Sequence, residues 1–126
     1  MKALVYDAGV LVAADRNVRR VWEEHRVKLA AGVLPLVSST VVAQVSRSAD
    51  QVQLRRFLKG CEVVSFDERA AHRVGALLGR ARKADVVDAS VVDLAATRTA
   101  DVLTSDPKDL RRLVAASDAD VAVLEI

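Results

Sequence analysis

With 126 residues, 52% of them apolar and only 3% aromatic, the chain is long enough to bury one core of Val, Leu and Ala. Its net charge of +2 singles out no class of partner, and one cysteine excludes an internal disulfide framework. No stretch approaches the roughly 18 consecutive apolar residues of a membrane span. We therefore expect a single domain over 1–126, in a soluble cytoplasmic protein that makes no membrane contact.

Strands and helices alternate in the predicted N-terminal half, and no element is predicted for residues 8–14. Apolar residues alternate or run together in the strands, and they recur at helical spacing in the helices. The predicted elements are a strand over 3–7, a helix from Asp15 to about Ala31 ended by Gly32, a short strand in "LPLVSS", a helix over Val41–Arg47, and a helix capped by Asp50 and stopped at Gly60.

The C-terminal half continues the same alternation. Its predicted elements are a strand over 62–66, a helix from Asp67 and Glu68 to about Ala81, a helix over 86–97, a strand over 101–105, a helix from Pro107 to about Val114, and a strand over 121–126. This order predicts an α/β fold with a mostly parallel sheet. In such sheets ligands bind beyond the carboxyl ends of the strands, so the residues that follow each strand are the candidates for a functional site.

Three aspartates lie at positions where an α/β sheet usually binds its ligands. Asp7 and Asp106 each follow an apolar strand, so a parallel sheet can bring them close together. Asp88 lies near the start of an Ala/Val-rich helix that we expect to pack on the sheet. Carboxylates gathered in one pocket repel each other unless a cation is bound, and oxygen ligands without His or Cys favour Mg²⁺ or Mn²⁺. Such a site suits phosphodiester hydrolysis.

Three further aspartates have competing interpretations. Asp85 shares the face of Asp88 if the helix extends back to it, and otherwise it is a loop or capping residue. Asp109 lies in the first turn of the last helix, where it is either an N-cap or an accessory acid. Asp93 is five residues beyond Asp88, so we expect it to point elsewhere, into solvent or onto a basic partner.

The segments "LVYDAGVLVAA", "DASVVDLAA" and "VLTSDPKDLRRL" resemble the three Asp-bearing motifs of PIN-domain ribonucleases. The length and the motif order are most similar to VapC toxins of type II toxin–antitoxin pairs. The resemblance implies a three-layer α/β/α sandwich and a metal-dependent endoribonuclease, with Asp7, Asp88 and Asp106 as the catalytic metal ligands. It also implies that Thr104 and Ser105 shape the turn that presents Asp106, while Asp109 and Asp85 could supply additional charge.

The same resemblance implies several ligands and partners. These are Mg²⁺ or Mn²⁺ as cofactor, RNA as substrate, a second copy of the chain in a homodimer, and a cognate VapB-like antitoxin. The antitoxin would place an arginine near the acidic pocket and so compete electrostatically with metal and substrate. Clusters of Arg and Lys on the predicted helices are either solvated faces or surfaces that contact phosphate.

One position departs from the family. PIN domains usually carry a Glu on the helix after the second strand, where this chain has Gln44. An amide oxygen can orient water or bind metal weakly, but it brings no charge. A catalytically degenerate PIN fold that binds RNA or protein is therefore an alternative. Arg47, predicted on the same helix face as Gln44, is either a contact to substrate phosphate or a surface arginine.

A remote alternative is a phosphatase of the haloacid dehalogenase type, which uses an Asp after the first strand as its nucleophile. That family requires a second Asp two residues later, where this chain has Gly9. Neither histidine suggests a catalytic base. His25 falls on an apolar helical stripe and His72 on a separate helix, so we expect each to be structural or exposed.

Overall fold

A computed structural model describes residues 2–126 of the chain. Their five strands form one parallel sheet in the order β3-β2-β1-β4-β5. The strands are β1 (Ala3–Tyr6), β2 (Leu34–Ser38), β3 (Glu62–Val64), β4 (Asp101–Thr104) and β5 (Val123–Glu125). The predicted α/β class is confirmed, with a sheet that is parallel throughout. Strands β1 and β4, which precede Asp7 and Asp106, are neighbours.

Seven helices in the described residues cover the sheet. They are α1 (Ala8–Asp15), α2 (Arg19–Ala30), α3 (Ser39–Val45), α4 (Val52–Leu58), α5 (Glu68–Ala81), α6 (Val86–Arg98) and α7 (Pro107–Ser117). Helix α1 packs against α2, α3 and α4, while α5, α6 and α7 pack against one another. The result is the predicted α/β/α sandwich. Among residues 2–126, no helix combines the length and the apolar character needed to cross a bilayer.

The core is built mainly from aliphatic side chains, as the composition predicts. Val5 on β1 pairs with Leu36 on β2 and with Val102 on β4, and all three are fully buried. Central strands of a parallel sheet are covered on both faces, so continuous apolar runs are stable there. This buried centre gives the carboxyl ends of β1 and β4 a rigid base.

The N-terminal helical region differs from the prediction. The predicted helix over 15–31 corresponds to α2, which begins only at Arg19 because the chain turns at Asn17, whose φ of 58° is left-handed. Asparagine tolerates this conformation better than most residues. Helix α1 itself was not predicted, since its burial of Val10, Leu11 and Ala14 among other apolar residues leaves no polar face to mark the helical period.

Other boundaries also shift. Helix α3 ends at Val45, so the predicted helix over Val41–Arg47 is too long and Arg47 lies outside it. Helix α4 is preceded by Gln51 at its N-cap rather than by Asp50. The strand predicted over 62–66 is limited to Glu62–Val64, which pairs with β2 along its short length. The predicted start of α5 is confirmed, and Asp67 caps this helix because its carboxylate accepts the Ala70 N–H at 2.9 Å.

Candidate active site

A hydrogen-bonded link joins the two aspartates at the ends of β1 and β4. Thr104 Oγ1 donates to Asp7 Oδ2 at 2.7 Å and accepts the backbone N–H of Asp106 at 3.0 Å. The Asp7 N–H in turn donates to the Leu103 carbonyl at 3.0 Å. Because β1 and β4 are parallel neighbours, the two strands end at the same edge, and one hydroxyl can serve both aspartates.

Asp7 is a buried carboxylate, with only 8% of the residue exposed, and Thr104 is fully buried. Burial of a charged group is costly unless hydrogen bonds or ions compensate it. The Thr104 hydroxyl supplies one such bond. Asp106, two residues beyond Thr104, is exposed, so the link runs from the protein interior to its surface.

Asp88 lies in the first turn of α6 and is partly buried. Burial is the main cause that raises the pKa of Asp88 from 3.8 to about 6, and the negative charges of Asp85, Asp7, Asp109 and Asp106 raise it further. Asp88 therefore lies close enough to four other carboxylates for their charges to act on it. We call Asp7, Asp85, Asp88, Asp106 and Asp109 the acidic group. A bound cation would relieve its repulsion.

The two accessory aspartates already have partners in the chain. Asp85 caps α6, since its Oδ1 accepts the backbone N–H of Asp88 at 2.9 Å. Asp109 Oδ1 lies 3.6 Å from the ammonium nitrogen of Lys83. The capping interpretation of Asp85 is confirmed, and its exposed position next to Asp88 adds charge to the same region. Asp93 faces away, in a two-bond ion pair with Arg73 at 2.8 and 3.1 Å.

The acidic group fits a hard cation in its donor chemistry, because every candidate ligand is a carboxylate oxygen. Within residues 2–126, however, no three His, Cys, Asp or Glu side chains approach closely enough to form a ready metal-binding group. The carboxylates are thus close enough for their charges to interact, but no three of them are arranged to bind one metal ion together. To bind a metal ion at this site, the carboxylate side chains would have to move closer together.

Gln44 and Arg47 lie near the end of α3. Gln44 is exposed, and α3 is held beside α6 by the contact between Thr40 Oγ1 and Ser90 Oγ. The guanidinium of Arg47 donates to the carbonyls of Ala43 at 3.2 Å and Ser46 at 2.8 Å. It therefore folds back onto the C-terminal end of α3, where cations are favoured. The prediction that Arg47 continues the helix face of Gln44 is wrong.

Gly9 has a role at the site that the sequence interpretation missed. A Cβ built on Gly9 would overlap Ser105 Oγ and would lie 3.3 Å from Ser105 Cβ. Glycine therefore lets the turn before Asp106 approach the first turn of α1. The sequence signal for this role is a single glycine two residues after Asp7, directly before the apolar residues 10–14.

Both histidines behave as predicted. His25 is buried and its Nδ1 lies 2.9 Å from the Tyr6 hydroxyl, while its ring packs 4.0 Å from that of Phe57, centroid to centroid. Burial, reinforced by nearby Lys28 and Arg26, lowers the pKa of His25 below 6.5. His72 is exposed beside Glu68. His25 thus supports the packing of α2 rather than the acidic group.

No protein-family model matches the chain, and no curated protein matches it in sequence. Solved structures do match it in fold. A chain of VapBC2 from Rickettsia felis bound to a DNA fragment from their promoter is 17% identical, with a TM-score of 0.73 and 98% of each chain covered. A chain of DNA-bound VapBC from Salmonella typhimurium is 15% identical, with a TM-score of 0.74 and coverage of 99% of this chain and 98% of that one.

A third similar structure, FitAcB from Neisseria gonorrhoeae, is 16% identical with a TM-score of 0.66, and the alignment covers 96% of each chain. At these identities the comparison concerns the fold. The chain has a VapC-like PIN fold, which confirms the resemblance that the three Asp-bearing segments predict.

Proposed function

We propose that this chain, with its VapC-like PIN fold, is a metal-dependent endoribonuclease that hydrolyses RNA phosphodiester bonds and acts as the toxin of a type II toxin–antitoxin pair. The observation that carries the proposal is the Thr104 hydroxyl that joins the buried carboxylate of Asp7 to the backbone of Asp106. It brings two carboxylates together at the carboxyl edge of the sheet, close enough to Asp88 for their charges to act on it. Carboxylates held near one another repel, so a cation and a reaction that need them explain the arrangement best.

Asp7, Asp88 and Asp106 would hold Mg²⁺ or Mn²⁺, with Asp85 and Asp109 adding negative charge. The metal would lower the pKa of a bound water and neutralise charge on the phosphoryl group. Thr104 orients the carboxylate of Asp7 and the backbone of Asp106 together. Gly9 keeps Ser105, and with it the turn that carries Asp106, close to α1.

The proposal gives Asp7 the role of a ligand rather than of a covalent nucleophile. Its Oδ2 accepts the Thr104 hydroxyl, and the residue is almost fully buried. The position two residues later is Gly9, which is packed against Ser105 and offers no second carboxylate. Both points disfavour a phosphatase of the haloacid dehalogenase type.

The proposed partner is a VapB-like antitoxin, and the proposed assembly is a homodimer. Support for the antitoxin comes from the solved structures of similar fold, which are VapBC and FitAB complexes. The homodimer rests on the family resemblance alone. An arginine or lysine of the antitoxin would be attracted to the exposed Asp106 and Asp109 and would compete there with metal and substrate. Mixing the chain with a small basic antitoxin encoded beside it should therefore suppress cleavage.

A second candidate function is binding without catalysis. Gln44 is exposed and uncharged where PIN nucleases usually carry a Glu, and the described carboxylates do not converge into a ready metal-binding group. A degenerate PIN fold would retain the strands and the acidic group but would not cleave RNA. Comparison of the wild type with Gln44→Glu distinguishes the two functions. A nuclease cleaves RNA already as wild type and Gln44→Glu raises that activity, whereas a degenerate fold cleaves only as Gln44→Glu.

The test is cleavage of total cellular RNA by the purified protein with Mg²⁺, with Mn²⁺ and with EDTA. We expect discrete fragments that require the metal and that fall by about 100-fold in Asp106→Asn. Asp120→Asn is the matched control, because Asp120 is an exposed aspartate outside the acidic group and its loss makes the same change in charge. Equal activity of both variants, or cleavage that persists in EDTA, would contradict the proposal.

A further inference from the structure

Lys83 lies in the short connection between α5 and α6, beside the acidic group. We infer that Lys83 positions the RNA substrate by donating hydrogen bonds from its ammonium group to the phosphate that is cleaved. The inference rests on the proposed ribonuclease function. It adds to the proposed site a cationic residue that binds the substrate phosphate.

The backbone of Lys83 is held on both sides. Arg82 ends α5 in the left-handed conformation, with φ of 53°, and both Arg82 and Lys83 direct their N–H groups to the Leu78 carbonyl. This pattern closes a helix C-terminus firmly. Two residues later, the carboxylate of Asp85 caps α6. The Cα of Lys83 is therefore fixed between two capped helix ends.

The side chain of Lys83 is directed toward the acidic group, but its ammonium group forms no hydrogen bond with these carboxylates. Its nitrogen lies 3.6 Å from Asp109 Oδ1, and 31% of the side chain is exposed. This separation exceeds that of a direct hydrogen bond between ammonium and carboxylate, which is about 2.7–2.9 Å. Within the described part of the chain no hydrogen bond involves this nitrogen, so its three N–H donors can serve a ligand.

Charge explains why a phosphate is the expected ligand. The acidic group repels an RNA phosphate. The ammonium group of Lys83, which lies beside Asp109, offsets part of that repulsion. Lysine binds phosphate as a compact point charge that can reorient its donors. On substrate binding, Lys83 would exchange its loose contact with Asp109 for hydrogen bonds to phosphate oxygen.

The test compares Lys83→Gln and Lys83→Arg with the control Lys108→Gln. Lys108 is an exposed lysine on the first turn of α7, next to Asp109 in sequence, and it makes no ion pair within residues 2–126. The first measurement gives KM and kcat for a cleaved RNA with saturating Mn²⁺. The second gives the affinity of the RNA-free protein for Mn²⁺. A third measurement is the affinity for a fluorescein-labelled random 30-nucleotide RNA in the Asp7→Asn background with Mn²⁺.

We expect Lys83→Gln to weaken RNA binding and raise KM by about fivefold, with Lys83→Arg close to wild type and Lys108→Gln changed less than about twofold. Tighter Mn²⁺ binding in Lys83→Gln with unchanged RNA affinity would overturn the inference, because Lys83 would then be only a counter-ion of Asp109. Equal effects of Lys83→Gln and Lys108→Gln would also overturn it while leaving the ribonuclease standing. If the wild type does not cleave RNA, a selective loss of binding in Lys83→Gln still supports the phosphate contact.

Discussion

Replacement of Thr104 by Val tests the link between the two strand ends, since valine keeps the shape of threonine and removes only its hydroxyl. The carboxylate of Asp7 would lose a 2.7 Å hydrogen bond at a site that is 8% exposed, and the Asp106 N–H would lose its acceptor. A hydrogen bond to a charged group contributes about 1.5–3 kcal/mol and a neutral one about 1 kcal/mol. We expect the free energy of unfolding to fall by about 3 kcal/mol.

Thr104→Ser provides the matched control. Serine keeps the hydroxyl and removes a buried methyl group, at a cost of about 1 kcal/mol. The two variants should differ by about 2 kcal/mol, which corresponds to about 6–10 °C in Tm for a chain of this size. Urea denaturation at pH 7.5 in metal-free buffer, followed by circular dichroism, measures the difference directly.

A double-mutant cycle with Asp7→Asn assigns the effect to the hydrogen bond rather than to packing. Thr104→Val should cost about 1–2 kcal/mol less in the Asp7→Asn background, because a neutral amide is less expensive to leave without its partner. If Thr104→Val is no more destabilising than Thr104→Ser, or if the cycle shows no coupling, the Thr104 hydroxyl does not stabilise the buried carboxylate and the reasoning fails.

Three further predictions concern the electrostatics and the geometry of the site. Asp88→Asn should stabilise the metal-free protein at pH 7.5, because a pKa raised from 3.8 to about 6 means that the charged carboxylate is disfavoured in the fold. The full effect would be about 3 kcal/mol, and solvent screening of this partly exposed group reduces it to about 1 kcal/mol. The gain should shrink below pH 6, where Asp88 of the wild type takes up a proton, and denaturant titrations at several pH values would show it. His25 should act in the opposite direction, since its lowered pKa keeps it neutral in the fold while the unfolded chain takes up a proton near pH 6.5. Stability should therefore fall with acidification below pH 6.5, and His25→Gln in the Asp88→Asn background should flatten that dependence. Gly9→Ala should displace Ser105 and lower RNA cleavage, and Ser105→Ala should restore it; cleavage unaffected by Gly9→Ala would show that the close approach does not matter.

Much of the sheet could be predicted because its strands are continuous apolar runs followed by polar residues. Asp7 and Asp106 could be placed at one edge because both follow such strands, and the observed pairing of β1 with β4 makes them neighbours. Helix α1 could not be predicted, since its side chains are apolar on nearly every side and show no helical period. The end of α3 was also missed, because no glycine or proline marks it.

Within the site, residue types were more predictable than contacts. The family resemblance implied that Thr104 and Ser105 shape the turn that presents Asp106, but not that a single hydroxyl joins Asp7 to the Asp106 backbone. In the sequence, nothing distinguishes Lys83 from the other Arg and Lys residues of the chain. Its position depends on the left-handed residue Arg82, which side-chain periodicity does not reveal.

The measurement that tests the central claim most directly is the chemical identity of the ends produced when the wild-type protein cleaves RNA with Mg²⁺ or Mn²⁺. Attack by a water molecule on the phosphodiester leaves linear phosphate and hydroxyl ends, and it does not involve the ribose 2′-hydroxyl. We expect such ends, formed only with metal and absent in Asp106→Asn. Fragments that end in a 2′,3′-cyclic phosphate, or that form equally well in EDTA, would contradict hydrolysis by this acidic group.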